Sequence, residues 1–254
     1  MHVFCYVCSA PLNSNVIPLS NNGDGLMVTD AINVDVRELL AFFDEEAKGS
    51  SRHASAIVGI AGEDLGAALL VEYFRSQGVS AEILPERCTQ GTKKGYRLDR
   101  WVLSHEAAGD LLYQVEIKNW SAHAIGGRKL AVSAPPATVR EYKIERWSKE
   151  WNGETFRKAP VLKVLTPMRS PLSSVRVEPL VCFWTALHPE GAESPFFSVP
   201  LSGHTHFQRV SVFSISSYLR SLEVPSITLA MPEVAVRREW LTRLFPAGVS
   251  AAAV

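Results

Sequence analysis

The chain has 254 residues, with 26 Lys and Arg balanced by 26 Asp and Glu, and 46% of it is hydrophobic. That suffices for a sizeable core, in one domain with additions or in two small ones. No run of about 18 apolar residues is present, so no membrane is expected. Met1-His-Val-Phe-Cys5 lacks the features of a secretory leader, and four cysteines make no disulfide framework. The expected compartment is the reducing cytoplasm.

The zero net charge conceals segregation. Residues 1–86 carry 4 Lys/Arg against 12 Asp/Glu, residues 87–176 carry 17 against 8, and residues 177–254 carry 5 against 6. The basic third would attract a polyanion; the bland alternative is a solvated charged helix face at Arg140, Lys143, Arg146 and Lys149.

In chain order, residues 1–50 read as an acidic N-terminal appendage, opening on Cys5-x-x-Cys8 and including a helical pattern at Val36–Phe43. The Cys pair has the spacing of half a structural Zn2+ site, but no second pair follows. His2, His53, His204 and His206 could complete it without their spacing requiring it. A long helix is predicted from about His53 to Gln77, closed by Gly78. In it Glu63, Ala67, Leu70 and Phe74 form one stripe, which sets Glu63 toward the sheet. Val79–Cys88 is a candidate strand, followed by a turn at Gly91–Gly95 that carries Lys93 and Lys94.

Leu98–Leu103 and Leu111–Trp120 then read as a hairpin turned at Glu106–Gly109. If Asp110 faces His105 across a four-residue loop, antiparallel register sets Asp99 opposite Glu116. Period two places Gln114, Glu116 and Lys118 on one face and Val115 and Ile117 on the other. Opposed carboxylates destabilise a sheet unless compensated, and a divalent cation would compensate them. Simpler readings pair Asp99 with Arg97 or Arg100, Glu116 with Lys118, or leave Lys118 as a solvated edge residue.

Beyond Pro135-Pro136 a helix is predicted over about 138–151. Val161–Met168 is ambiguous between strand and helix. Glu178–Leu187 and Gln208–Ile215 read as strands, and Ser217–Leu222 and Arg237–Phe245 as helices. Residues 51–225 form the predicted core, and residues 226–254 a C-terminal helix and tail. The expected class is α/β, a mixed central sheet flanked by helices. Cys88 and Cys182 read as buried free thiols. Trp101, Trp120, Trp147 and Trp151 could stack on bases, with core packing the alternative.

This arrangement resembles the PD-(D/E)XK nuclease superfamily, also called restriction-endonuclease-like. The resemblance spans about residues 54–222 by element order and rests on Asp99, Glu116-Ile117-Lys118 and the helical Glu63. Leu98 stands where the proline that names the motif would be. The resemblance implies Asp99, Glu116 and the Ile117 carbonyl as ligands of Mg2+ or Mn2+, with Glu63 completing the shell. It also implies a role for Lys118 in orienting or deprotonating the attacking water. Mg2+ keeps several waters, so few carboxylates hold it.

The expectation is a divalent-metal-dependent endonuclease acting on nucleic acid, DNA ahead of RNA, in defence, repair or recombination. A homodimer, or a protein partner bound through the acidic N-terminal region, is compatible. Lys93, Lys94, Arg97, Arg100, Gln114 and Lys143 are candidate substrate contacts. The rival is a non-catalytic nucleic-acid-binding or assembly module that keeps the fold.

Overall fold

The computed structural model describes residues 30–48, 56–89, 97–118, 138, 141, 164–201 and 205–244. Cys5, Cys8, Lys93, Lys94, Lys143, Trp120, Trp147 and Trp151 lie outside the described residues. The described elements run β1 (Ala31–Asp35), α1 (Val36–Lys48), α2 (Glu63–Ser76), β2 (Ser80–Ile83), β3 (Arg100–Glu106), β4 (Gly109–Lys118), β5 (Arg176–Phe183), β6 (Phe196–Pro200), β7 (Arg209–Ser214), α3 (Ile215–Ser221), β8 (Ser226–Ala230) and α4 (Pro232–Leu244).

A six-stranded mixed sheet of order β2-β3-β4-β5-β7-β6 forms the centre. The β2-β3-β4 meander is antiparallel, β5 and β7 run parallel to β4, and β6 returns antiparallel. A long connection leads from β4 to β5. Within it Thr138 and Glu141 are helical, and Val164–Met168 turns rather than forming strand or helix.

The sheet is covered on both faces, so β4 is buried from Leu111 to Ile117, its polar Gln114 and Glu116 included. On one face Tyr113, Val115, Ile117 and Cys182 pack under Leu65, Leu69 and Phe74 of α2, together with Leu229 and Met231. On the other, Trp101, Leu103, Leu112, Val181 and Phe183 are covered by Val164, Leu165, Met168 and Leu187.

A five-residue π turn (Val58–Gly62) leads directly into α2. The C-terminus of α2 matches the sequence expectation. Gly78 adopts φ +76, while the Val79 and Gly78 N–H groups donate to the Phe74 and Arg75 carbonyls at 2.9 Å each. That pattern satisfies carbonyls the helix leaves open, and Gly takes the left-handed backbone without a Cβ clash.

Three short strands, β1, β6 and β8, were not expected from the sequence. β1 and β8 form a separate antiparallel pair, and Val36, Leu229 and Met231 share the α2 side of the core. The described part of the N-terminal segment therefore packs with the C-terminal one against the central layer. No described helix is long and apolar enough to cross a membrane.

Candidate active site

Hairpin register decides whether the acids can meet. His105 pairs with Asp110 and Arg100 with Val115, as expected. The turn itself is tighter than expected: Glu106 pairs with Gly109, which leaves only Ala107 and Ala108 to reverse the chain. The register is unchanged, and Asp99 and Glu116 are the residues that flank the terminal Arg100–Val115 pair on the two strands.

Asp99 lies just beyond β3 and extends the ladder with its own atoms. Its N–H donates to the Val115 carbonyl at 3.1 Å, and its Oδ2 accepts the Ile117 N–H at 2.6 Å. A carboxylate thus takes the place of the backbone acceptor that β3 no longer supplies. Because N–H and C=O of one residue point to the same side of a strand, the Ile117 carbonyl faces this opening too. Leu98 is fully buried, and its N–H donates to the Cys88 carbonyl at 2.9 Å. A proline there would forfeit that bond.

Glu116 is 2% exposed, and its Oε2 is buried without a hydrogen-bond partner. Its Oε1 receives a close hydrogen bond from Lys118 Nζ. The ion pair that the sequence allowed is therefore formed, yet half of the carboxylate remains unsatisfied. Such an orphan is costly unless something positive meets it.

Burial, then the neighbouring Glu116 charge, push the Asp99 carboxyl up from 3.8 to about 7. Glu63 raises it further, while the Ile117 N–H and Lys118 oppose the shift. Asp99 consequently feels all three other candidates from its position at the sheet end. Burial pushes the thiols of Cys88 and Cys182 up, with smaller contributions from Glu116 and Asp99 at Cys88 and from Asp99 at Cys182.

Glu63 departs from expectation. Ala67, Leu70 and Phe74 of its stripe are buried, but the Glu63 side chain is 47% exposed and pairs with Arg100 at 3.3 Å. It occupies the first turn of α2, where the arginine at the start of β3 draws it to the rim. Sequence reasoning passed over its neighbour Asp64, which is 3% exposed and accepts the Val234 N–H at 3.1 Å. Asp64 thus caps α4 from another helix. The burial of that acid follows from tertiary packing and leaves no mark in local periodicity.

Arg100 is mostly buried and committed to protein. It donates to the Asp99 carbonyl at 2.8 Å and pairs with Glu233 at 2.7 Å as well as with Glu63. Gln114 is fully buried, and its amide holds the chain around residue 166. It has no freedom to meet substrate, contrary to expectation. Arg97 is exposed near Asp99. A cavity of about 440 Å3 opens beside the site, lined in part by Asp64, Asp99, Arg100, Glu82, Arg87 and Glu233.

Among the described residues, no three His, Cys, Asp or Glu side chains converge tightly enough to hold a metal ion. The donors that fit one best are the orphaned Glu116 Oε2, Asp99 and the Ile117 carbonyl. The chain matches no protein-family model, and no curated protein or solved structure is similar to it.

Proposed function

We propose that the protein is a divalent-metal-dependent nuclease, with Asp99, Glu116 and Lys118 as its centre. The observation that carries this reading is the buried Glu116, one oxygen unpartnered, beside an Asp99 that burial and Glu116 together keep from ionising readily. Two such carboxylates at a sheet end are stabilised by a shared cation. The order helix, three-strand meander, crossover with helical residues and parallel strand supports a restriction-endonuclease-like core.

In this reading Asp99, Glu116 and the Ile117 carbonyl would hold Mg2+ or Mn2+, with Glu63 as a further ligand if it gave up its pairing with Arg100. The ion supplies charge neutralisation for the scissile phosphate and a lowered pKa for bound water. Lys118 Nζ, held at the site by Glu116 Oε1, would orient the attacking water and offset charge on the phosphate. The water oxygen bonds to phosphorus and the bridging P–O bond breaks. The proton that the water loses balances the one that the leaving oxygen gains. One site cuts one strand, so cleavage of both strands of a duplex would use a homodimer. DNA is the expected polymer, with the cytoplasm as the compartment.

The ion pairs Lys118–Glu116 and Arg100–Glu63 favour a second reading, a non-catalytic nucleic-acid-binding module whose charges are matched internally. Incubation with supercoiled plasmid, single-stranded DNA and RNA in Mg2+, Mn2+ or EDTA separates the two. The nuclease reading expects metal-dependent cleavage of at least one substrate, lost in Asp99→Asn and in Lys118→Ala. Binding of nucleic acid unchanged by both substitutions, with nothing cut in any condition, favours the second.

A further inference from the structure

Gln114 sits two residues before Glu116 on the same face of β4, and its three side-chain hydrogen bonds go to one segment. Its Nε2 donates to the Thr166 carbonyl at 3.0 Å and, more closely, to the Val164 carbonyl, while its Oε1 accepts the Met168 N–H at 3.1 Å. The next residue, Arg169, donates its N–H to the Thr89 carbonyl at 3.3 Å. Thr89 in turn forms an antiparallel bridge with Arg97. Two chain segments distant in sequence are thereby ranged on either side of Thr89, and Arg97 in one of them lies two residues before Asp99.

Arg97 and Arg169 are both exposed, and among the described residues neither meets a carboxylate. Arg100, by contrast, is held by Glu63 and Glu233. Two exposed guanidinium groups with no carboxylate partner among the described residues would be attracted to a polyanion. Fixing the backbone under one of them with four hydrogen bonds reduces the ordering cost of contact.

We propose that Arg97 and Arg169 form a phosphate-binding rim of the candidate active site, and that Gln114 is the positioning residue that holds Arg169 in it. The ligand is the backbone of a nucleic-acid strand on one side of the scissile phosphate. The proposal rests on the nuclease reading for its substrate, but its test reads binding rather than cleavage.

In an Asp99→Asn background, affinity for fluorescent single-stranded and duplex DNA is measured across a NaCl series. Each neutralised phosphate contributes about 0.9 to the slope of log K against log salt on a duplex and about 0.7 on a single strand. Arg97→Ala and Arg169→Ala are each expected to weaken binding and lower the slope by that amount, whereas Arg169→Lys keeps the slope. Arg176→Ala is the control, since Arg176 pairs opposite Leu111 at the far end of the sheet from the Lys118–Phe183 pair. It should change neither quantity. Gln114→Met should cost what Arg169→Ala costs, with no further loss in the double variant.

Where Gln114→Met does not fold, hydrogen exchange at the Met168 amide, which donates to Gln114 Oε1, decides its role in the unsubstituted protein. Protection supports the held segment, and exchange at the rate of a free peptide overturns it. Slopes of the Arg97 and Arg169 variants equal to their parent, or an equal loss in Arg176→Ala, overturn the rim. Cleavage with unchanged slopes removes the rim alone, and altered slopes without cleavage in the unsubstituted protein remove the nuclease reading alone.

Discussion

At the scale of single residues, Asp99 and Glu116 place opposing demands on the protein. Asp99 retains its proton up to about pH 7 in the folded state against an ordinary value of 3.8. The folded protein therefore binds more protons than the unfolded chain in that window, and this group's contribution to stability is lost as pH rises from about 4 to about 7. Asp64, also raised by burial, acts in the same direction. Urea unfolding in EDTA is expected to show the metal-free protein less stable at pH 8 than at pH 5. Stabilisation by Mn2+ should be larger at pH 8, because protons compete for Asp99 at lower pH. The substitution Asp99→Asn removes the buried like charge and leaves an oxygen able to accept the Ile117 N–H. It should raise metal-free stability at pH 8 by about 1 kcal/mol while abolishing cleavage, the usual exchange between stability and function at a strained site. A lower midpoint for Asp99→Asn in EDTA would show that the carboxylate is stabilising as it stands.

At the scale of elements, the legible parts of the fold were those with strong local signals. Gly78 marked the end of α2, and the apolar runs with a turn between them marked the hairpin. The register followed from pairing His105 with Asp110, even though the turn proved shorter, because a two-residue turn closed by Glu106 and Gly109 keeps the same partners. β1, β6 and β8 escaped notice because each has five residues. Runs that short carry little periodicity, and long-range pairing creates these strands. The roles of Gln114 and Asp64 depend on segments 50 or more residues away in sequence, so no local pattern announces them. The exposure of Glu63 was misjudged for a related reason: helical periodicity gives a direction, and it does not show where the helix outruns its neighbour.

The packing of α2 on β4 is itself testable. A Cβ on Gly66 would lie 2.9 Å from Ile117 Cγ2, and Ile117 sits between Glu116 and Lys118. Ala in place of Gly improves helix propensity by about 1 kcal/mol, whereas overpacking a core costs about 1–3 kcal/mol. The clash should prevail because Ile117 is branched and confined between helix and sheet. Gly66→Ala is therefore expected to lower stability by about 1 kcal/mol in urea unfolding and to reduce cleavage through displacement of Ile117. An increase in stability would mean that α2 can shift freely over the strand.

At the scale of the whole molecule, the site lies where several elements converge. β3 begins at Arg100, α2 at Glu63, and α4 at Pro232. α4 is tied to this junction by Asp64, which caps it, by Glu233, which pairs with both Arg100 and Arg237, and by Arg237, which donates to the Ile60 carbonyl. Glu233 is partly exposed, so its replacement by Gln should change stability little. Its effect should fall on Arg100, which would then pair with Glu63 alone and compete more strongly with a cation for that carboxylate. A higher Mg2+ concentration for half-maximal cleavage in Glu233→Gln, with melting temperature nearly unchanged, is the expected outcome. An unchanged Mg2+ requirement would dissociate α4 from the site.

The claim that Asp99 and Glu116 share a cation is tested most directly by Mn2+ binding, followed by electron paramagnetic resonance at pH 8. The unsubstituted protein is expected to bind Mn2+, and Asp99→Asn and Glu116→Gln to lose that binding. Lys118→Ala should retain or tighten it, because its ammonium competes for Glu116, and should still fail to cut nucleic acid. Mn2+ binding of equal strength in all four proteins, or none in any, would contradict the account.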